Sequence, residues 1–201
     1  MNIYVETNFV LELVFQQEQL ASCEQILQLC EAELVQLIIP AYSVAEPHEK
    51  LTRQAKNRRD LQQLLETELR QLARSAPYQT QINSIENLAS LLVQSSQEER
   101  QRFVEYRNWL IKNAEVIALT ADILNEAAAY EAPYDLSSQD ALVYSSVISH
   151  LRQYHPQVAC FLNRNSRDFD NPDIVDELNR FNCRMIPRFD HGYSFIQSQL
   201  S

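Results

Sequence analysis

Glycine occurs once in 201 residues, at Gly192. That scarcity removes several kinds of site. No GxGxxG turn can approach a dinucleotide, and no GxxxxGK[ST] loop can cradle a phosphate. Asn-Gly and Asp-Gly hairpin turns are also missing, which argues against an all-β chain. Cysteine is sparse. Cys23, Cys30, Cys160 and Cys183 form no CxxC pair and no Cys/His set with zinc spacing. Cys160 lies in the apolar run VACFL, where it acts as a small hydrophobe. A reduced, cytoplasmic protein is the simplest reading. The opening stretch MNIYVETNFVLELVF carries Glu6 and Glu12 and no basic flank. It reads as neither a secretory signal nor a membrane span, and no membrane partner is expected.

Basic residues are missing from residues 1–49, which hold eight acids, whereas residues 50–59 hold five bases (Lys50, Arg53, Lys56, Arg58, Arg59) in a chain of net charge -10. The overall acidity argues against passive nucleic-acid binding. An acidic segment followed by a basic one suits metal-dependent phosphodiester chemistry, with carboxylates holding cations and bases meeting phosphate. A solvated helix face accounts for the pattern equally well.

The length suits one domain carrying an insertion. Abundant Leu, Gln, Glu and Ala predict much helix. Five short apolar runs, at 2–5, 35–39, 115–119, 158–162 and 184–186, read as strands. Helices are predicted at 9–15, 18–32, 44–74, 84–93, 97–113, 121–131, 139–153 and 174–181, with one more at 193–200. Buried strands alternating with helices predict an α/β three-layer sandwich, a parallel sheet of four to five strands flanked by helices. The gap between the second and third strands exceeds what a crossover helix needs. Residues of about 52–113 are therefore read as an inserted helical arm within a single domain spanning 1–201, with breaks at 75–80 and 94–97. In its first helix Leu61, Leu64, Leu65, Leu69 and Leu72 recur at helical spacing and predict a packed stripe.

In an open α/β sheet the site lies beyond the carboxyl ends of the strands. Acids follow four of the predicted strands: Glu6 after the first, Glu46 after the second, Asp122 after the third, Asp168 and Asp170 after the fourth. Asp140 opens the helix before the fourth strand. Each has a structural explanation. Glu6 could cap the next helix, although Thr7 and Asn8 could do so without it. Ser43-Val-Ala-Glu46 fits a capping box, and Ser137-Ser-Gln-Asp140 a variant with Asp. Asp122 follows Thr120 in a cap pattern, Asp135 is a loop acid, and Asp168 and Asp170 suit a turn. Convergence is the stronger argument. Carboxylates gathered at one sheet edge repel unless a cation neutralises them, and an all-oxygen ligand set favours Mg²⁺ or Mn²⁺ over zinc. His48, His150, His155 and His191 show no ligand spacing.

Four blocks then resemble the PIN-domain family, particularly its VapC-type toxin-like branch: YVETNFV at 4–10, VAE at 44–46, DLSSQDALVYSS at 135–146 and FLNRNSRDF at 161–169. The resemblance implies a PIN-like fold and a Mg²⁺- or Mn²⁺-dependent ribonuclease. It implies Glu6, Glu46 and Asp140 as the acidic triad, with Asp168 as a fourth acid and Thr7, Asn8, Asn163 and Asn165 as supporting residues. Glu6 stands where the family usually has Asp, Asn163 where Thr or Ser is common, and Asn165 where some members have a further Asp. Arg53, Lys56, Arg58 and Arg59 would guide RNA. An antitoxin or other protein partner and a homodimer are compatible with this reading. Two alternatives stay open at this point: a non-catalytic PIN scaffold whose arm binds a protein, and a nuclease for structured DNA.

Overall fold

The computed structural model describes every residue except 165–168, 170 and 201, and every side chain outside those and 79–89. The apolar runs form strands β1 (Asn2–Val5), β2 (Gln36–Pro40), β3 (Glu115–Ile117), β4 (Ala159–Leu162) and β5 (Cys183–Ile186). They make one parallel sheet in the order β3-β2-β1-β4-β5. The helices are α1 (Thr7–Phe15), α2 (Leu20–Glu31), α3 (Ala41–Leu72), α4 (Gln79–Asn113), α5 (Ala121–Tyr134), α6 (Ser138–Tyr154), α7 (Pro172–Arg180) and α8 (Phe189–Leu200), with a 3₁₀ turn at Ala76–Tyr78. Two compact units result: Met1–Glu46 with Glu105–Ser201, and Pro47–Val104.

In the first unit alternate strand residues serve opposite faces, as the pleat requires. Tyr4, Ile38 and Phe161 meet Val147 and Ile148 of α6 and Leu178 of α7. Ile3, Leu37, Cys160 and Leu162 are buried on the other face, where α1, α2 and α8 gather and Phe9 meets Phe189 edge-on at 5.3 Å. Gly192 lies in α8 against β4. A Cβ there would stand 2.6 Å from Leu162 Cδ2, so the lone glycine permits a close helix–sheet approach. The strand order puts the reversal of direction between β1 and β4. Val5 is in register with Leu162, so Glu6 and Asn163 leave neighbouring carboxyl ends side by side. That is where an open α/β sheet presents a crevice.

In the second unit the structure departs from expectation. The break predicted at 94–97 is absent, and α4 runs through it. The hydroxyls of Ser95 and Ser96 donate back to the Leu92 carbonyl at 3.0 and 3.1 Å, so neither serine draws the backbone out of the helix. Arg58 Nη1 reaches both hydroxyls at 3.1 Å, and the guanidinium pairs two-pronged with Glu99 at 2.8 and 3.0 Å. The leucine stripe is only partly packed. Leu69 is buried, but Leu61, Leu64 and Leu72 are 45%, 60% and 44% exposed. Arg58 thus serves as a strut between the two helices. Arg58→Ala would leave Glu99 a buried, unpaired charge and is expected to cost about 3 kcal/mol. Urea unfolding followed by circular dichroism checks this, and an unchanged midpoint would remove the strut role.

Candidate functional site

Glu6 is the residue that turns β1 into α1. Its extended backbone (φ -123°, ψ -175°) makes it the N-cap itself, and Oε2 accepts the Asn8 N–H at 2.8 Å. Oε1 accepts the main-chain N–H of Arg164, just past β4, at 3.2 Å. The side chain is buried, and burial is the largest of the forces that push its pKa up to about 7. Hydrogen bonds from Asn8 and Arg164 pull the other way, and the nearby charge of Asp140 adds a further upward push. Asp140 is therefore near enough for its charge to act on Glu6.

Glu46 arrives by a different route. Helix α3 starts at Ala41, so Ser43 lies inside the helix and cannot form the predicted capping box. Ser43 Oγ has no hydrogen-bond partner among the described residues, and Glu46 Oε2 instead accepts the Thr7 hydroxyl at 2.5 Å. This bond ties the start of α3 to α1. Asp140 does make its predicted cap. Ser137 Oγ accepts the Asp140 N–H at 3.1 Å and donates to Asp140 Oδ2 at 2.5 Å. Asn163 is fully buried, and its N–H donates to the Ile186 carbonyl at 3.1 Å. Asp168 and Asn165 lie outside the described residues. Arg53, Lys56, Arg58 and Arg59 belong to the second unit.

The sequence reading missed Arg164 and Glu12. Glu12, on α1, is buried to 1%, accepts the Gln19 N–H at 2.5 Å, and ion-pairs with Arg164. The same guanidinium reaches Gln17 at 3.0 Å and Glu18 at 2.8 Å. Arg164 therefore anchors its side chain on α1 while its backbone holds Glu6. An acid on the apolar face of a predicted helix was the available signal, since such an acid requires a cation.

Among the described residues three acids are buried: Glu6, Glu12 and Glu99. Arg164 neutralises Glu12 and Arg58 neutralises Glu99. Among the described residues Glu6 has no ion-pair partner, only hydrogen bonds and a second acid close enough to raise its pKa. The described residues include no group of three or more His, Cys, Asp or Glu able to hold a metal ion. Mg²⁺ does not need three, because it keeps most of its waters and is commonly held by one or two carboxylates. The Glu6 and Asp140 carboxylates fit that donor chemistry.

A model of the PIN domain matches residues 3–169. The chain belongs to the PIN-domain family. No curated protein matches it. Among solved structures it is similar to the crystal structure of VapBC2 from Rickettsia felis bound to a DNA fragment from their promoter. The likeness is 14% identity over 92% of this chain and 98% of that one, with a TM-score of 0.45. The family match spans every block from β1 to Phe169, and the sheet order gives this PIN domain its crevice between β1 and β4.

Glu6 supplies a pH test. Its folded pKa of about 7 lies above the ordinary 4.5, so the folded state holds its proton more tightly than the unfolded chain. Its contribution to stability is therefore unaffected below 4.5 and becomes less favourable as pH rises through 7. At about 1.4 kcal/mol per pH unit of displacement, the charged carboxylate costs about 3 kcal/mol above that window. Glu6→Gln loses one hydrogen bond worth about 1 kcal/mol, so it is expected to stabilise the metal-free protein by about 2 kcal/mol at alkaline pH. The gain should vanish near pH 4. Denaturant unfolding at both pH values measures the difference, and a pH-independent effect would contradict the burial argument.

Proposed function

We propose that this PIN-domain protein is a Mg²⁺- or Mn²⁺-dependent ribonuclease. The observation that carries the reading is Glu6, a carboxylate buried at the sheet's crevice, with Asp140 nearby and with no ion-pair partner of its own among the described residues. Burial and the neighbouring Asp140 charge both disfavour the Glu6 carboxylate, and a divalent ion would relieve both effects. Glu6 and Asp140 would hold the ion directly. Once bound, it would polarise a phosphodiester and make a bound water acidic.

The chain's own groups set up the rest. The Asn8 and Arg164 N–H groups hold the Glu6 carboxylate in one orientation. Ser137 holds Asp140 in the same way, through its hydroxyl. Glu46, fixed by Thr7, is the third acid and would accept a proton from water on the reaction path. Asp168 is proposed as the fourth acid, with Asn163 and Asn165 supporting it. Arg53, Lys56 and Arg59 of the second unit are proposed contacts for the RNA backbone. A reduced, cytoplasmic setting agrees with four free, buried cysteines, and no helix among the described residues is long and apolar enough to cross a membrane.

The test is cleavage of a mixed RNA pool with Mg²⁺ or Mn²⁺, beside the same reaction with a chelator. Asp140→Asn and Glu6→Gln are expected to lower the rate at least about a hundredfold, the scale of losing a positioned charge in a catalytic site. Mn²⁺ at about 100 times its dissociation constant should stabilise the folded protein by about 2.7 kcal/mol, and both variants should lose that response. Cleavage of DNA but not RNA would change the substrate class. A melting temperature that ignores both metals would favour a non-catalytic PIN scaffold.

Clamp and chemistry can be separated. Arg164→Ala leaves Glu12 buried without its cation and is expected to destabilise the fold by about 3 kcal/mol. With the charge also removed, in Glu12→Gln/Arg164→Ala, much of that stability should return. Cleavage should stay slow, because the main-chain N–H of residue 164, which donates to Glu6, would no longer be anchored by its side chain on α1. Full activity in the double variant would show that the clamp serves the fold alone.

A further inference from the structure

The second unit contains a pocket of about 200 Å³ lined by Ala55 and Arg59 of α3 and Val93, Ser96, Gln97 and Arg100 of α4. No acid lines it. Arg59 uses its Nε–H on the Ala55 carbonyl at 3.3 Å, and its two terminal nitrogens have no hydrogen-bond partner among the described residues. Neither Arg59 nor Arg100 has an ion-pair partner among the described residues, although the adjacent Arg58 and Glu99 are locked together. Two arginines therefore line one small pocket from opposite helices, with Gln97 beside them, while the Ser96 hydroxyl is committed to Leu92 and Arg58. Planar paired donors of this kind suit a tetrahedral oxyanion.

We infer that this pocket binds a phosphate group of a single-stranded nucleic-acid backbone through Arg59 and Arg100. The inference rests on the ribonuclease reading for the identity of the polymer but not for the pocket. Two observations favour a polyanion over an isolated carboxylate. Arg53, Lys56 and Arg59 are all exposed and recur every three residues along α3, so cations follow one another at about 4.5 Å along the helix axis. Residues 47–104 carry nine Lys and Arg against seven Asp and Glu, a positive segment in a chain of net charge -10. A repeating cation row that ends in a two-arginine pocket matches a chain of repeating phosphates. Arg58 is not part of this surface, because Glu99 and the two serines occupy it.

The test is binding of a labelled single-stranded RNA to the full chain, by fluorescence anisotropy with a chelator present so that no cleavage occurs. Salt is varied from about 50 to 200 mM. Losing two phosphate contacts should reduce the slope of log affinity against log salt by about 1.4, so Arg59→Gln/Arg100→Gln is expected to bind about tenfold more weakly at low salt. The charge-matched control Arg70→Gln/Arg74→Gln should bind like the wild type. Arg59→Lys/Arg100→Lys keeps the charge but not the paired donors and should fall between them. Melting curves of all variants should coincide, since both arginines are exposed. Equal losses in the pocket and control variants would overturn the inference, as would a wild type that does not bind RNA. An acidic peptide that binds as tightly as RNA, with the same dependence on Arg59 and Arg100, would overturn it in favour of a protein partner. Cleavage plays no part in this readout, so failure of the metal-site reading and failure of the pocket remain distinguishable.

Discussion

Buried carboxylate charge is the constraint around which the first unit is arranged. An acid taken out of water has to find a cation or several donors, or give up its charge. Glu12 is fully enclosed on α1 and obtains its cation from Arg164, a residue that follows β4. That ion pair spans the same boundary between β1 and β4 where the sheet reverses direction. Satisfying Glu12 therefore draws the end of β4 toward α1, and the Arg164 N–H then meets Glu6. A second consequence runs through Gln19. Its N–H is held by Glu12, and its side-chain oxygen accepts the N–H groups of Phe189 and Asp190 at 2.6 and 3.3 Å, capping α8. One buried acid thus coordinates α1, the end of β4 and the start of α8.

The opposite face buries polar groups as well, but there they are matched. Tyr4 Oη and His150 Nδ1 lie 2.8 Å apart, and His150 Nε2 lies 3.0 Å from Glu115. Glu177 receives the Tyr144 hydroxyl at 2.7 Å and Arg152 at 2.9 Å. Burial and the carboxylate beside it push the Tyr144 hydroxyl well above its usual range, so it stays a donor. The first network cross-links β1 and β3 to α6, and the second cross-links α6 to α7. They hold α6 in place, and with it Asp140 at the start of that helix. The histidine that showed no ligand spacing in the sequence is therefore a structural link.

Much of this was legible from residue order. The strands stood out because short β-branched and apolar runs alternate with long Leu, Gln and Glu segments. The post-strand acids were visible because a parallel sheet makes strand ends special. Local chemistry misled at two points. Ser43 and Glu46 have the spacing of a capping box, yet the helix begins at Ala41, earlier than the serine, and Glu46 turns to Thr7 from a distant part of the chain. Ser95 and Ser96 resembled a helix break, but their hydroxyls satisfy the Leu92 carbonyl and receive Arg58. Both errors have one origin. Serine and glutamate choose partners by three-dimensional proximity, and sequence spacing reports only the partners nearby in the chain. Arg164 was invisible for the same reason, since its acid lies on α1, remote in sequence.

The contrast among the buried acids bears on why Glu6 is tolerated. Glu12 and Glu99 can be explained by folding alone, because each closes an ion pair between elements that must meet. Glu6 cannot be explained in that way. Asn8 and Arg164 donate to it through their backbone, and either would be satisfied by a neutral acceptor. A glutamine in its place would relieve the desolvation without disturbing β1, since the strand ends at Val5. The negative charge is thus the part of Glu6 that the fold does not need. A buried carboxylate at the crevice between β1 and β4, with a charge the fold does not use, is the feature on which the proposed cation site rests.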